Sequence, residues 1–151
     1  MPKAKSCRCC GTKKKCSGAH VYAIELKSEV TADPKFRKVA GIGEDFTGRC
    51  FYVGQTRSHS VECRFKQHRA KKRSRKRPGA TFECTCKNGT PKDIQYHWSN
   101  AGNVFVRKYT KGLAYELFAH LNPLPKKINP VEAEAALAQS LREQGFAVHF
   151  A

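Results

Sequence analysis

The sequence predicts a small α/β (α+β) domain in which a short antiparallel sheet is flanked by helices. Two apolar, β-rich segments, 21–26 and 50–53, are typical of strands and lie on either side of a turn-rich connection. Helices are predicted to begin at Ser60 and after Asn129, each with an apolar stripe. A length of 151 residues suits one domain with one core, so we expect a single active site.

The composition is strongly basic. Lys and Arg number 29 against 12 Asp and Glu, which gives a net charge of +17. Six basic residues lie in 1–15 and seven in 69–77, with no acid in either segment, so thirteen of the excess charges are local. Such clusters favour nucleic acid over an anionic membrane, and they do not distinguish DNA from RNA. With no apolar run near the roughly 20 residues that span a bilayer, we expect a soluble protein that is cytoplasmic or nucleoid-associated and binds nucleic acid.

The chain divides into a tail and a domain. Residues 1–18 form a basic, cysteine-rich tail without apolar periodicity, and 19–151 form the domain, with a basic and cysteine-containing insertion at about 69–100. Turn-forming residues predict that part of this insertion is irregular or hairpin-like. In the connection between the two strands, Asp33-Pro34 and several glycines indicate turns. We also expect a short helix over 109–121, stopped by the prolines that follow it.

The clearest helix follows Asn129, which is a suitable N-cap, with Pro130 at the first helical position and Glu132 at the third. It is predicted to end at Gly145, before a final strand. At about 100° per residue, Glu134 points from the apolar stripe whereas Glu132 points away from it. An acid that faces a core costs several kcal/mol unless it is paired, protonated or metal-bound, so Glu134 is the candidate functional carboxylate. The alternative is a structural ion pair at the edge of the stripe.

Two tyrosine motifs mark the predicted strands: His-Val-Tyr at 20–22 and Tyr-Val-Gly at 52–54. Arg64 and His68 follow one helical turn apart, and Glu134 lies on the C-terminal helix. Together these residues resemble the two-tyrosine pattern of the GIY-YIG nuclease family, as found in its bacterial and phage-type endonuclease domains. In that family the first motif is Gly-Ile-Tyr and the second is Tyr-Ile-Gly.

The resemblance covers roughly 19–70 and 101–150. It implies a GIY-YIG-like sandwich that acts as a metal-dependent DNA endonuclease, hydrolysing phosphodiester bonds by water attack without a covalent enzyme intermediate. It also implies Mg²⁺ or Mn²⁺ as the cofactor, with Glu134 as its ligand. The residues carried over from the family to a catalytic site are Tyr22, Tyr52, Arg64, His68 and Glu134.

These residue types suit the chemistry. A hard cation takes a carboxylate oxygen together with water and phosphate oxygens, and Glu134 supplies the one protein ligand that this requires. Arg64 would bind two oxygens of the scissile phosphate and neutralise charge in the transition state. Tyr22 or His68 would take a proton from the attacking water, which for a tyrosine requires a pKa below the usual ~10. Tyr52 would orient the water or the phosphate.

Each of these residues also has a structural interpretation. Strand tyrosines usually pack in a core, a histidine on the inner stripe of a helix is often satisfied there, and a neighbouring arginine often forms a surface salt bridge. The competing function is therefore a non-catalytic, zinc-stabilised nucleic-acid-binding protein on the same scaffold. For an enzyme that cuts both strands of a duplex, a single small domain favours a homodimer.

The basic run that follows His68 would extend from the proposed site along the phosphate backbone, with little base preference and a steep dependence on salt. The alternative is a solvated loop. Gly54 would let the backbone turn closely at the end of its strand, and Thr56 or Gln55 would bond phosphate or cap the next helix. The residues predicted to contact nucleic acid are Gly54, Thr56, Arg69, Lys71, Lys72, Arg73, Arg75, Lys76 and Arg77.

Eight cysteines are many for a chain without a secretion signal, so metal ligation and free thiols both rank above disulfides. Cys7 and Cys10 have the spacing of a zinc clip, whereas the spacing of Cys84 and Cys86 is a poorer one. The candidate ligands of a structural zinc ion that joins the tail to the insertion are Cys7, Cys10, Cys16, Cys84 and Cys86. The competing interpretation is a set of ordinary reduced thiols.

We predict that metal analysis of the purified protein finds about one zinc ion per chain, because four thiolates are a usual ligand set of a structural zinc site. A zinc content of zero would identify these cysteines as plain thiols.

Overall fold

The computed structural model describes residues 19–57, 61–62, 64–65, 81–84, 92–95 and 101–150. The strands are β1 His20–Leu26, β2 Cys50–Thr56, β3 Thr81–Cys84, β4 Lys92–Gln95, β5 Thr110–Leu113 and β6 Ala147–Phe150. The helices are α1 Pro34–Ala40, α2, of which 61–62 and 64–65 are described, α3 Ala101–Tyr109, α4 Tyr115–Phe118 and α5 Pro130–Glu143. A four-stranded sheet has the order β5-β1-β2-β6, and β3 pairs with β4 in a separate sheet.

The central pair of the larger sheet is antiparallel, with Tyr22 of β1 opposite Gly54 of β2 and Ile24 opposite Tyr52. β5 pairs antiparallel with β1, and β6 pairs parallel with β2. The prediction of a small α/β domain with a short sheet flanked by helices is confirmed. The sheet is mixed rather than wholly antiparallel, because α5 carries the chain back before β6 begins, as a parallel pairing requires.

Both faces of β1 are covered. Side chains alternate between the faces of a strand, yet each residue from Val21 to Ile24 is at most 1% exposed. Helix α5 packs against β1, β2 and β6, and α1 packs against β6. Phe36 of α1 meets Phe105 of α3 edge to face, with ring centroids 5.5 Å apart. The sheet is therefore enclosed between helices, as expected of a sandwich.

Asp33-Pro34, which the sequence indicated as a turn, begins helix α1. The Asp33 side chain accepts a hydrogen bond of 2.9 Å from the Lys35 N–H, and Pro34 occupies the first helical position. Gly41 ends the helix in the left-handed conformation, with φ of 67°. The same residue types suit a turn or a capped helix, and here the capped helix forms because Phe36 reaches the core.

Residues 109–121 do not form the single helix that the sequence predicts. The segment contains the end of α3, strand β5, α4 and a 3-10 helix over Ala119–Leu121. Gly112 has φ of 154°, which residues with a side chain rarely adopt, and Thr110 is β-branched, so both disfavour a helix. Pairing with the open edge of β1 then supplies the backbone hydrogen bonds that a helix would have made.

Helix α5 begins as predicted. The Asn129 side chain accepts a hydrogen bond of 2.9 Å from the Val131 N–H, and Pro130 is the first helical residue. The helix ends at Glu143, two residues before Gly145, which has φ of 88°. The end of the helix thus lies within two residues of the predicted position.

The insertion predicted as irregular or hairpin-like contains the antiparallel hairpin of β3 and β4, in which Thr81 pairs with Gln95 and Cys84 with Lys92. The predicted tail, 1–18, lies outside the described residues. In the described part of the chain, no helix combines the length and the apolar character needed to cross a bilayer.

The side chain of Asn122 holds the start of β1. Its Oδ1 accepts a hydrogen bond of 2.9 Å from the Val21 N–H, and its Nδ2 donates one of 2.7 Å to the Val21 carbonyl oxygen. Two residues later, the Leu124 N–H donates to the Ala19 carbonyl oxygen at 2.9 Å. This segment therefore satisfies the backbone of β1 beside Tyr22, where β5 does not reach.

We predict that Asn122→Ala lowers the free energy of unfolding by about 1–3 kcal/mol, because it leaves the buried N–H and carbonyl groups of Val21 without their partner. Urea denaturation followed by circular dichroism measures the change. His120→Ala alters an exposed side chain in the same segment and should change stability by no more than about 0.5 kcal/mol. Equal stability of the Asn122 variant and the wild type would contradict this role.

Candidate active site

Four of the predicted catalytic residues meet, although they come from four different elements. Tyr22 lies in β1, Tyr52 in β2, Arg64 in α2 and Glu134 in α5. The Arg64 guanidinium donates a hydrogen bond to the Tyr22 hydroxyl oxygen. Arg64 and Glu134 both lie close enough to act electrostatically on the two tyrosine hydroxyls. We call these four residues the site cluster.

Gly54 provides the space in which Tyr22 lies. The two residues face each other across β1 and β2, and a Cβ atom added at Gly54 would lie 2.5 Å from Cζ of the Tyr22 ring. Such an approach is far closer than real carbon contacts allow. The expectation that Gly54 turns the backbone at the end of its strand is wrong, because this residue lies inside β2. Its lack of a side chain lets the tyrosine ring pack directly against the backbone of the neighbouring strand.

The orientation of the two acids on α5 agrees with the helical period. Glu134 is 3% exposed, whereas Glu132 is exposed. On the same face, Leu137, Ala138 and Leu141 are buried in the core. The sequence therefore selected the correct carboxylate as the one that points inward.

Burial dominates the electrostatics of both tyrosines. Loss of water raises the pKa of Tyr22 far above its usual value, and the neighbouring Tyr52 raises it further, while Arg64 opposes the shift. Burial, followed by the Glu134 carboxylate, raises the pKa of Tyr52 to about 12, again against the effect of Arg64. Both phenols therefore keep their protons at neutral pH and can donate a hydrogen bond.

The expected role of Tyr22 as a base is not favoured by these shifts. Proton transfer from water to a tyrosine requires a lowered pKa, and the protein moves the pKa of Tyr22 in the opposite direction because its hydroxyl is desolvated. A hydroxyl that keeps its proton suits the orienting role instead. This orienting role is the one predicted for Tyr52.

The site cluster contains one carboxylate, that of Glu134, and this donor suits a hard divalent cation. Mg²⁺ is commonly held by one or two carboxylates, with water and phosphate oxygens completing its coordination, and Mn²⁺ takes similar ligands. A buried carboxylate is stabilised by a cation or by hydrogen bonds, so a metal ion at Glu134 fits its 3% exposure. The described residues contain no group of three or more His, Cys, Asp or Glu side chains that could hold a metal ion.

Several predicted site residues are not placed. The described residues do not include His68, the basic run or most of the candidate zinc ligands, and Cys84 is described only as part of the β3 backbone. Gly54 and Thr56 are buried in β2, and Thr56 is 6% exposed. Nucleic-acid contact at these two positions therefore stays a prediction. The undescribed candidates are His68, Arg69, Lys71, Lys72, Arg73, Arg75, Lys76, Arg77, Cys7, Cys10, Cys16 and Cys86.

Sequence reasoning missed His149, which lies beside the site cluster. Residue 149 of β6 pairs with Tyr52 of β2, and the two rings lie with centroids 5.5 Å apart. The alternating pattern near the end of the chain predicted the strand but not its partner. A parallel register to β2 is set by the crossover through α5, which leaves no local trace in the sequence.

The site cluster is almost entirely shielded from solvent. Tyr22, Tyr52 and Glu134 are 1%, 2% and 3% exposed, and Arg64 is the one member that is partly exposed. A phosphate group that approaches the cluster therefore meets Arg64 first. Contact with the tyrosine hydroxyls requires a local opening of the protein around them.

No family model, no curated protein sequence and no solved structure matches this chain. The resemblance to the GIY-YIG nucleases therefore rests on the motif residues of the sequence alone.

We predict that Tyr22→Phe and Tyr52→Phe leave the phenolate absorbance of the folded protein at about pH 10 unchanged, because neither hydroxyl has ionised by then. In denaturant, each variant should lose one fifth of the absorbance change, since the chain has five tyrosines. A loss of amplitude in the folded protein at that pH would contradict the burial of the hydroxyls.

The raised tyrosine pKa values also determine the direction in which stability changes with pH. The Tyr52 hydroxyl has a pKa of ~10 in the unfolded chain and a pKa of about 12 in the folded protein. It therefore binds its proton more tightly in the native state. Its contribution to stability is therefore full below pH ~10 and is lost as the pH rises toward 12.

Proposed function

We propose that this protein is a metal-dependent DNA endonuclease that hydrolyses phosphodiester bonds. The observation that supports it most is the meeting of Tyr22, Tyr52, Arg64 and Glu134 in one cluster drawn from four elements. Phosphodiester hydrolysis needs a cationic clamp for the phosphate, a ligand for a divalent ion and hydrogen-bond donors that orient the reacting groups. In the site cluster, Arg64 is the candidate clamp and Glu134 the candidate metal ligand. Tyr22 and Tyr52 are the candidate hydrogen-bond donors.

Arg64 is the phosphate-binding residue in this proposal. Its guanidinium carries enough donors to bind two phosphate oxygens while one N–H remains on the Tyr22 hydroxyl. Its fixed positive charge lowers the energy of the negative charge that builds on the phosphoryl oxygens in the transition state. Because Arg64 is the partly exposed member of the cluster, it is also the first group that a DNA strand reaches.

The other three residues complete the proposed site. The Tyr22 and Tyr52 hydroxyls, which keep their protons, donate hydrogen bonds to a phosphate oxygen or to the attacking water. Glu134 is the residue that would hold Mg²⁺ or Mn²⁺. When bound, the divalent ion supplies Lewis-acid polarisation of the phosphate.

The charge of the chain supports DNA as the partner. A net charge of +17 attracts a polyanion from a distance, and the two acid-free basic segments, 1–15 and 69–77, concentrate that attraction. Contacts of this kind are made with the backbone and carry little sequence information. We therefore expect affinity that depends steeply on salt, with cleavage governed by DNA shape more than by base sequence.

The burial of the site cluster favours a second candidate function. Three of its four members are at most 3% exposed, and Arg64 already donates a hydrogen bond to Tyr22 within the protein. Such a cluster could serve only to hold α2 against the sheet. The chain would then be a non-catalytic nucleic-acid-binding protein on the same scaffold.

Nicking of supercoiled plasmid in the presence of Mg²⁺ separates the two functions. We predict that the wild type nicks the plasmid and that Glu134→Gln, which keeps the size of the side chain and removes its charge, lowers the rate by about 100-fold or more. Glu132→Gln is the matched control, because Glu132 is exposed on the same helix and should leave the rate unchanged.

Binding measured in the same buffers completes this experiment. Glu134→Gln should bind the plasmid as tightly as the wild type does, because the basic segments are unaltered. DNA binding by the wild type without nicking in either Mg²⁺ or Mn²⁺ would reject the endonuclease and leave the binding protein.

A further inference from the structure

His149 lies next to the site cluster and is held in place by the sheet. In the parallel pair of β2 and β6 it is directly opposite Tyr52, so the two side chains project from the same face. Their rings are tilted by 42°, with centroids 5.5 Å apart. A residue in register with Tyr52 is fixed by the backbone hydrogen bonds of two strands.

A second aromatic contact fixes the imidazole from the helix side. Phe105 of α3 meets His149 edge to face, at 5.5 Å between centroids and an angle of 79°. Phe105 is in turn packed against Phe36 of α1. The histidine ring is therefore held between Tyr52 and Phe105, and yet it is only half-buried, so part of the ring remains open to water.

The proposed reaction needs a proton acceptor that the site cluster does not supply. A tyrosine hydroxyl with its ordinary pKa of ~10 holds its proton at neutral pH, Arg64 is always protonated, and Glu134 is the ligand assigned to the metal ion. Hydrolysis at neutral pH requires a group that can accept a proton from the attacking water. Among the described residues, His149 is the titratable side chain in ring contact with Tyr52.

We propose that His149 is the general base of the endonuclease, accepting the proton of the attacking water, which the Tyr52 hydroxyl helps to orient. This inference rests on the proposed function and adds a catalytic residue to it. In this proposal the half-buried imidazole accepts the proton directly or through one further water molecule, from its position beside the Tyr52 ring.

The charged surroundings of His149 favour the neutral imidazole that a base requires. Burial lowers the pKa of His149, and the positive charge of Arg142 on α5 lowers it further. Tyr52 faces it from β2 as a neutral phenol and Phe105 faces it from α3, while the buried residues of α1, Phe36 and Ala40, are apolar. The imidazole is thus uncharged at neutral pH and ready to accept a proton.

The proton and electron balance of the step is simple. The water oxygen forms a bond to phosphorus, and the bond from phosphorus to the leaving sugar oxygen breaks, with its electron pair staying on that oxygen. One water proton moves to a ring nitrogen of His149, and the leaving oxygen takes a proton from solvent. The imidazolium then returns its proton to solvent, so the net reaction consumes one water molecule for each bond cut.

The test is the pH dependence of plasmid nicking in Mg²⁺. For the wild type, we expect the rate to fall below the pKa of His149, where the imidazole is protonated. His149→Gln should lower the rate at neutral pH by about 100-fold or more and remove this acid limb, because no imidazole remains to titrate. His120→Gln, at an exposed histidine, is the control and should keep both the rate and the limb.

Three results would overturn the assignment. One is a His149→Gln rate and pH profile equal to those of the wild type. Another is a slower variant that retains the acid limb, which would indicate a structural role. The third is loss of the limb in His68→Gln while it persists in His149→Gln, since His68 would then be the base.

An NMR titration of the wild-type imidazoles keeps the assignment testable if His149→Gln does not fold. The pKa of His149 should coincide with the midpoint of the acid limb, and a clear difference between the two would reject His149 as the base.

Failure of the proposed endonuclease function would give a different experimental result from failure of the His149 assignment. If the wild type binds DNA but does not nick it, the proposed function fails and this inference falls with it. If Glu134→Gln abolishes nicking and His149→Gln does not, only this inference fails.

Discussion

The antiparallel register of β1 and β2 is the constraint on which the rest of the structure depends. It places Tyr22 opposite Gly54, the one residue of β2 that has no side chain to displace its ring. A slip by one residue would turn the tyrosines of one strand to the other face and oppose Tyr22 to a residue with a Cβ atom. Glycine weakens a strand by roughly 0.5–1 kcal/mol relative to alanine, so its presence in β2 is explained by this packing. The position of β6, and with it His149, follows from β2 in turn.

Burial and electrostatics are linked in the site cluster. Removing water from Tyr22, Tyr52 and Glu134 strengthens every interaction among them, since charges and dipoles act more strongly where the local dielectric is low. Arg64 opposes the upward shift of both tyrosine pKa values, because its positive charge favours the ionised hydroxyl whereas burial and the Glu134 carboxylate disfavour it. An arrangement of this kind is organised before a substrate arrives. In the proposed endonuclease, a phosphate group would reach the buried hydroxyls only after a local opening of the protein around them.

Much of the fold could be predicted because the sequence features that indicate it lie close together in the chain. Asn129 and Pro130 mark the start of α5, and the helical period separates Glu134 from Glu132. The helix predicted over 109–121 was wrong because the pairing of β5 with a distant strand outweighed local preference. The contacts that depend on register could not be predicted at all. Tyr52 meets His149 and Asn122 binds Val21 only because strands and segments far apart in the sequence become neighbours.

The wide sequence separation within the site cluster has a consequence for the folding protein. Tyr22 belongs to the first described strand, whereas Glu134 lies on the last helix, so bringing them together requires closing most of the described chain into a loop. Contacts of such high separation carry a large entropic cost and form only when the sheet and its crossover are complete. The basic segments need no such assembly to attract a polyanion. For the proposed endonuclease, a newly made chain would therefore attract nucleic acid before its site cluster had assembled, and hydrolytic competence would arrive together with the finished fold.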